Sequence, residues 1–280
     1  IDIGIPDSME YGAYSKYTTD SIPLIPWENK DARLFFRGAS TNFDMAAHNW
    51  HVSPRVRAAK LSAARADGMM DAGISRWSHV RNPNTNSGDN WRLSTAQEIE
   101  SDTGVLLAPQ TALGDQCLAK WLLLLDGGWG GSRRAAILRC GSVLVQQMSP
   151  WRAFYSPLLV EGEHYVRVDR HLRNLTVVTE WLANHDDDAQ RIAANGKQFA
   201  DMYLTRDAAV EYWGLLLQRW TTLLTEGQNF EPSDVEWDHC SETAIQRNPR
   251  KSVMNCSKGW QTFASFEDFD AMYDGTPAVS

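Results

Sequence analysis

Residues 121–145, WLLLLDGGWGGSRRAAILRCGSVLV, carry the clearest indication of the fold. Apolar runs at 121–125 and 143–145 each predict a buried strand. The glycine-rich segment between them predicts a turn that leads into a short helix. We expect Ser132 to cap the start of this helix and Gly141 to end it. The order strand, turn, helix, strand is typical of an α/β fold.

Two arginines, Arg133 and Arg134, stand at the predicted start of this helix. Glycines let a ligand approach the backbone closely, and a helix start offers unpaired N–H groups to an anion. Two guanidinium groups at that point suit a diphosphate. The alternative interpretation is an ordinary α/β connection with solvent-exposed arginines, and both interpretations fit this stretch.

The glycines match neither of two common nucleotide-binding motifs. A G-x-G-x-x-G pattern begun at Gly128 requires glycine where Arg133 stands, which disfavours an NAD-dependent oxidoreductase. A Walker P-loop requires Gly-Lys-Ser/Thr after the turn, and this sequence does not follow.

The composition of the 280 residues, 43% hydrophobic and 22% charged, is that of a folded protein with one large domain or two modest ones. A net charge of −8 argues against nucleic acid as the main partner. The sequence has no run of eighteen apolar residues, so we expect no membrane span. The chain begins at Ile1 without methionine, which indicates a processed or truncated start.

A second arginine-bearing strand end lies upstream. Residues 33–36 predict a short strand that runs into Arg37 and Gly38. Ser53 and Pro54 then predict the start of a helix that carries Arg55 in its first turn, where a cation opposes the helix dipole. Ligands of open α/β sheets bind outside the carboxyl ends of strands, so we expect this strand end to face the glycine turn across a crevice.

Residues 69–74 and 164–168 predict two further strands, and the polar segment 76–98 predicts a loop that is mobile or faces the acceptor. Helices are predicted at 175–182, at 186–199 and from Thr205 onward. In this last helix we interpret one apolar stripe as core packing and not as a cofactor site. The stripe consists of Val210, Trp213, Leu217, Trp220 and Leu224.

The four cysteines form no C-x-x-C pair, so a zinc site is not expected. An even count permits two disulfides, and the sequence leaves the three possible pairings open. The sequons at Asn174 and Asn255 are compatible with glycosylation on a secretory route. The cysteines are Cys117, Cys140, Cys240 and Cys256.

Several motifs, in shared order and spacing over residues 1–225, resemble those of the protein O-glucosyltransferase and capsular xylosyltransferase family, the Rumi-like KDEL-motif glycosyltransferases. The downstream motifs are Cys117, Lys120-Trp121, Asp126-Gly127, Ser132-Arg133, Ser142 to Val145, His164-Tyr165, Trp181-Leu182 and Ile192-Ala193. The upstream motifs are Asp2-Ile3, Pro6-Asp7, Phe36-Arg37-Gly38 and Met69 to Ile74.

The resemblance implies a GT-B-like architecture, in which two Rossmann-like halves hold a nucleotide sugar in the cleft between them. Residues 1–100 would form an incomplete, acceptor-side half and residues 101–225 the nucleotide-sugar-binding half, with the tail 226–280 packed back on the first half. The implied activity is an inverting, metal-independent transfer of a sugar, glucose or xylose, from a UDP-sugar to a hydroxyl of a protein or glycan. The resemblance implies no permanently bound cofactor.

The resemblance also implies roles for residues. Ser40 and Arg55, or Arg57 if the register slips, match a serine and an arginine that contact the donor from the other half. The family's disulfide matches Cys117 and Cys140, which leaves Cys240 with Cys256 as an inferred second pair and places the chain in the secretory lumen. The expected donor-binding set is Gly38, Ser40, Arg55, Ser132, Arg133, Arg134, Ala135, Ala136 and Ile137.

An inverting transfer needs a base that deprotonates the acceptor hydroxyl. In the family this base is an aspartate upstream of the element that matches Asp2, so the nearest candidates in this chain are Asp2 and Asp7. The family's glutamate after the Ser-Val strand falls near Ala153. The rival hypothesis is therefore a non-catalytic relative that serves as a binding or structural component of a secreted assembly.

Overall fold

The computed structural model describes residues 22–41, 49–78, 80, 93–127 and 133–225. In these ranges the strands are β1 (Asp31–Ala39), β2 (Met70–Arg76), β3 (Ala119–Leu124), β4 (Val143–Gln147) and β5 (Val166–Val168). They form one sheet in the order β2-β1-β3-β4-β5, and every neighbouring pair is parallel. The predicted α/β class is confirmed.

Helices connect the strands and cover both faces of the sheet. Three short 3-10 turns accompany them, at Trp27–Asn29, Asn49–Val52 and Ser156–Leu158. The α-helices are α1 (Pro54–Ala63), α2 (Ala96–Thr103), α3 (Leu113–Gln116), α4 (Arg133–Arg139), α5 (Leu175–Asn184), α6 (Asp186–Tyr203) and α7 (Arg206–Thr225).

Strand β3 is apolar from Trp121 to Leu124 because both of its faces are buried there. Trp121 and Leu123 pack with α1, α5 and the first half of α6. Leu122 and Leu124 face the opposite side and pack with α4 and the second half of α6. Each such side chain contributes about 2 kcal/mol by leaving water, so β3 anchors the core.

Most predicted helix boundaries are confirmed. Gly141 follows α4 with a φ of 60°, a conformation that glycine adopts without the steric cost of a Cβ. Pro54 is the first residue of α1, although the hydroxyl of Ser53 makes no cap bond. Thr205 caps α7 by accepting from the backbone N–H of Ala208 at 3.1 Å.

One helix was missed by the sequence interpretation. Helix α2 begins within the segment 76–98 that we predicted as a loop, because a reciprocal capping box starts it. The Thr95 hydroxyl accepts from the Glu98 backbone N–H at 3.2 Å, and the Glu98 carboxylate accepts from the Thr95 backbone N–H at 2.7 Å.

The sheet runs across the boundary predicted at residue 100. Strand β1 lies between β2 and β3, with Leu34 opposite Trp121 and Phe35 opposite Leu122. The two arginine-bearing segments therefore meet at one edge of one sheet, and not across a cleft between two sheets. The physical reason is that parallel strands linked by crossover helices place their carboxyl ends side by side.

The apolar stripe of α7 is a correction to the sequence analysis. Val210, Leu217 and Trp220 are 56%, 57% and 50% exposed, so the prediction that they pack in the core is wrong for the part of the chain that the structure describes. The buried Ala209, near the start of α7, belongs to the core. Periodicity shows that a helix has an apolar face, but it does not show what covers that face.

Several predictions fall on residues outside the described ranges, and these remain predictions. They concern Asp2, Asp7, Ser132, Asn255, the Cys240–Cys256 pair and the tail 226–280. Within the described ranges, no helix combines the length and apolar character needed to cross a bilayer.

Candidate active site at the carboxyl edge of the sheet

Arg55, from the first turn of α1, binds the carboxyl ends of β1 and β3 together. Its Nη1 donates to the carbonyl of Ala39 at 2.7 Å and to the Thr41 hydroxyl at 2.9 Å. Its Nη2 donates to the carbonyl of Leu125 at 3.1 Å, and its Nε to that of Asp126 at 2.9 Å. A guanidinium has five N–H groups, so protein acceptors occupy four of those of Arg55.

Gly127, which follows Asp126 after β3, leaves room for the side chain of Arg55. A Cβ on Gly127 would lie 2.5 Å from Nη2 of Arg55, closer than side chains approach one another. The sequence analysis assigned the glycines of this turn to the close approach of a ligand. At Gly127 the group that approaches closely is the Arg55 guanidinium, which is the reason a larger residue does not fit there.

Arg133 reaches the same strand end from the start of α4. Its Nη1 donates to the backbone carbonyl of Arg37, and it would lie 3.3 Å from a Cβ placed on Gly38. Burial, assisted by the positive charge of Arg133, lowers the pKa of Arg55 to about 10, while Asp126 opposes the shift. The structure thus brings together Gly38, Arg55 and Arg133, as the sequence predicted.

A cavity of about 270 Å³, which we call the arginine cavity, opens at the ends of β1 and β2. Arg37 on its wall pairs with Asp71 at 2.6 Å, while Arg76 is exposed. Guanidinium groups lining a cavity are suited to phosphate or carboxylate oxygens. The lining residues are Arg37, Ala39, Ser75, Arg76, Gln110, Thr111 and Arg133.

The side chain of Arg134 lies toward β4 and Tyr155, away from the arginine cavity. Arg133 and Arg134 therefore do not act as a pair. The Arg134 side chain is buried and donates to Gln146 Oε1 at 3.1 Å and to the Tyr155 hydroxyl at 3.2 Å. It lines a second cavity of about 110 Å³, the β4–β5 cavity. Gln146, Ser149, Trp151, Arg152, Tyr165 and Arg167 are among the residues that share its wall.

Asp126 follows β3, and its buried carboxyl lies beside Ser149 of the β4–β5 cavity. Burial raises the pKa of its carboxyl to about 6, although a hydrogen bond from Ser149 and the charges of three arginines act in the opposite direction. Its Oδ2 is buried and has no hydrogen-bond partner among the described residues. Its backbone N–H donates to Gln147 Oε1 at 3.0 Å, and Gln147 in turn donates to the carbonyl of Arg170 at 2.7 Å.

Other residues of the predicted donor set have structural roles here. Ser40 is fully buried, and its hydroxyl bonds both the backbone N–H and the carbonyl of Ser78, at 2.8 and 3.1 Å. The side chains of Ala135, Ala136 and Ile137 belong to the core under the sheet. These four residues therefore hold the edge in place, and their contact with a donor stays a prediction.

The predicted disulfide between Cys117 and Cys140 is confirmed, with an S–S distance of 2.05 Å. It links the segment before β3 to the end of α4. Lys30 lies against it and donates to the carbonyls of Cys117 and Cys140 and to the Ser142 hydroxyl. Burial lowers the pKa of Lys30 to about 8.

The Asn174 sequon lies at the start of α5, where the side-chain carbonyl of Asn174 accepts from the backbone N–H of Asp169 at 2.8 Å. Its glycosylation stays a prediction. Within the described residues, no group of His, Cys, Asp and Glu is arranged to hold a metal ion.

Sequence reasoning missed Arg76, Asp126 and Gln147 as residues of this edge. The available signal was positional. Each is a polar residue at the end of a strand or within two residues after it, which is where parallel sheets place ligand-facing groups.

The fold and this edge define an α/β domain with arginine-lined cavities at the carboxyl ends of its strands. Residues 15–259 match the sequence profile of glycosyl transferase family 90, and the chain belongs to that family. It is 25% identical to protein O-glucosyltransferase 1 of Homo sapiens over 200 residues, which are 71% of this chain and 44% of that protein. It is 28% identical to the O-glucosyltransferase rumi homolog of Aedes aegypti over 200 residues, 71% of this chain and 43% of that protein.

The chain spans less than half the length of these relatives. It is also 25% identical over 262 residues to an uncharacterized protein 035R of Invertebrate iridescent virus 3, with 87% of this chain and 22% of that protein covered. Among solved structures, Anabaena HepE in complex with UDP-glucose overlaps 76% of this chain and 53% of its own, with a TM-score of 0.43 and 10% identity.

Proposed function

We propose that this protein is a glycosyltransferase that transfers a sugar from a UDP-sugar to a hydroxyl of a protein or glycan acceptor. Membership of glycosyl transferase family 90 supports the class of reaction. The observation that carries the proposal is the arginine cavity, where Arg133 lies beside the bare backbone of Gly38. The described sheet would then be one Rossmann-like half of a GT-B enzyme.

In the proposed reaction the acceptor oxygen forms a bond to the anomeric carbon while the bond from that carbon to the phosphate oxygen breaks. The electron pair of the breaking bond stays with UDP, and a carboxylate base takes the acceptor proton. Attack from the face opposite UDP inverts the anomeric centre. Asp2 and Asp7 are our candidates for the base.

Charge on the leaving UDP must be stabilised for the bond to break. Preorganised guanidinium groups in a site shielded from water can do this without a metal ion. We infer a metal-independent transfer on this ground. The Cys117–Cys140 disulfide supports placement in the secretory lumen, since disulfides persist in oxidising compartments.

The proposal is tested by titrating UDP into the full chain and by following hydrolysis and transfer of UDP-glucose and UDP-xylose, with and without EDTA. We expect micromolar UDP binding, a loss of about tenfold or more for Arg133→Gln, and no effect of EDTA. Arg191→Gln is the matched control, because Arg191 is an exposed arginine on α6 whose ion partner is its helix neighbour Asp188. Absence of UDP binding would overturn the proposal.

A second candidate function is a non-catalytic relative that binds a nucleotide sugar or glycan. No carboxylate is among the described residues that line the arginine cavity, and this observation favours it. Tight UDP binding without hydrolysis or transfer, with every donor and acceptor tried, would support this second function over the enzyme.

A further inference from the structure

The arginine cavity contains a positive charge that the sequence analysis did not assign. Three of its lining residues are arginines, but they are not equivalent. Arg37 is neutralised by Asp71, at 2.6 Å, and also donates to the carbonyls of Phe36 and Asp71. Arg133, the arginine that the sequence predicted for the donor, donates to the carbonyl of Arg37.

Arg76 is the third arginine of the cavity, and it is the last residue of β2. It is exposed. Among the residues that the structure describes, its side chain makes neither a hydrogen bond nor an ion pair. Its guanidinium is therefore available to a ligand in the cavity.

Arg55 is less available to a ligand than Arg76, although the sequence analysis predicted that Arg55 contacts the donor together with Arg133. Four of its five N–H groups are bonded to Ala39, Thr41, Leu125 and Asp126. Arg55 can therefore offer a phosphate one N–H at most, and any further contact would require it to exchange bonds that hold the ends of β1 and β3 together. Each such bond to a charged donor contributes about 1.5–3 kcal/mol, so the exchange is unfavourable.

The charges that line the arginine cavity favour an anionic ligand. Arg37 and Asp71 cancel, and Arg76 adds its positive charge to the wall on which Arg133 already lies. The diphosphate of a nucleotide sugar carries two negative charges, one on each phosphate. Like charges gathered at one cavity repel each other, and an anion between them relieves this repulsion.

We propose that Arg76 binds the diphosphate of the donor together with Arg133 and stabilises the charge that develops on the leaving UDP. This inference rests on the proposed function, because it concerns the same donor. Arg55 then acts as a positioning residue that holds the strand ends and the start of the glycine turn, and Arg37 is fixed by Asp71 as part of the wall.

The test is calorimetric titration of UDP and of uridine into the full chain and into the variants Arg76→Gln, Arg76→Lys and Arg191→Gln. The control Arg191 matches Arg76 in charge and exposure but lies on α6. We expect Arg76→Gln to weaken UDP binding about ten- to a hundredfold, the loss of one charge-assisted contact, and to change uridine binding less than about twofold. Arg76→Lys should recover part of the UDP affinity, because it restores the charge but not the bidentate geometry.

The outcomes separate this inference from the proposed function. If Arg133→Gln weakens UDP binding while Arg76→Gln binds UDP as the wild type does, the inference is overturned and the proposed function stands. If the wild-type chain binds no UDP, both are overturned. Because Arg76 is exposed and its side chain makes no described contact, Arg76→Gln should unfold at the wild-type temperature, and a loss of UDP affinity then reports on the ligand and not on the fold.

Discussion

Replacing Asp126 with asparagine should stabilise the protein at neutral pH, and the size of the effect follows from the environment of the carboxyl. Burial raises the pKa of Asp126 to about 6 from an ordinary value of 3.8, against the opposing effects of Ser149, Arg134, Arg55 and Arg170. The neighbouring arginines therefore compensate only part of the penalty for burying this charge.

The sign follows from proton linkage. The folded state holds the Asp126 proton more tightly than the unfolded state does, so this group contributes stability below about pH 4 and loses it as the pH rises through about 6. The difference between 6 and 3.8 corresponds to about 3 kcal/mol. An asparagine side chain has nearly the same shape and no charge, so Asp126→Asn should gain up to about 3 kcal/mol at pH 7.5 and almost nothing at pH 4.

The assay is urea unfolding of the wild type and Asp126→Asn between pH 4 and pH 8. The measured quantity is the difference in free energy of unfolding at each pH. Asp187→Asn is the control, because Asp187 is exposed in the first turn of α6. A variant that is less stable than the wild type at pH 7.5, or a difference that does not change with pH, would mean that the arginines outweigh the burial penalty and would refute the reasoning.

Three further predictions concern the elements that support the site. Gly127→Ala should lower the free energy of unfolding by about 1–3 kcal/mol in urea, because its Cβ would displace the Arg55 guanidinium, whereas Gly214→Ala, where nothing lies within 4 Å, should be neutral or stabilising. Because the folded pKa of Lys30 is about 8, below its ordinary 10.5, the wild type should gain about 3 kcal/mol between pH 8 and 10.5, and Lys30→Met should lose this slope in pH-dependent urea unfolding. Removing the disulfide with Cys117→Ser and Cys140→Ser should lower the free energy of unfolding by about 3 kcal/mol, given a separation of 23 residues, and an unchanged thermal midpoint would contradict this.

The strands were predictable because burial on both faces imposes an apolar run that few other structures require. Strand β3 extends over Ala119–Leu124 where we predicted 121–125, and β4 over Val143–Gln147 where we predicted 143–145. The sheet order was not predictable from these runs. An apolar run does not indicate which strand pairs with which. The pairing of β1 with β3 is what places the two arginine-bearing segments at one edge of the sheet.

Part of the site was predictable from position alone. An arginine in the first turn of α1 opposes the helix dipole, and this disagreement with local preference correctly marked Arg55 as unusual. The partners of Arg55 were not predictable, because every residue has a backbone carbonyl and the sequence does not show which of them lie near Arg55. Three of its four described bonds are to such carbonyls, and only the fold brings these atoms together.

Two of the corrections have a common cause. The apolar stripe of α7 and Gly127 were both interpreted from sequence patterns. Each pattern identifies a property of the residue, apolar character or small size, but not the group that packs against it. An apolar stripe predicts a surface that avoids water, and a glycine predicts a close approach, but neither pattern says what approaches. For Gly127 the structure supplies the partner, Arg55. For α7 no partner lies among the described residues that would bury Val210, Leu217 or Trp220.

The organisation of the edge suggests why an unfavourable carboxylate stands at its centre. At Asp126 the backbone carbonyl meets Arg55, the carboxyl meets Ser149 of the β4–β5 cavity, and the N–H is fixed by Gln147. A neutral side chain would make the fold more stable, yet it would remove the negative charge that acts on Arg55, Arg134 and Arg170 together. If donor binding needs these guanidinium groups held in place, Asp126→Asn should bind UDP more weakly while it unfolds at a higher temperature. A gain in stability without a loss of UDP affinity would instead assign Asp126 no part in the site.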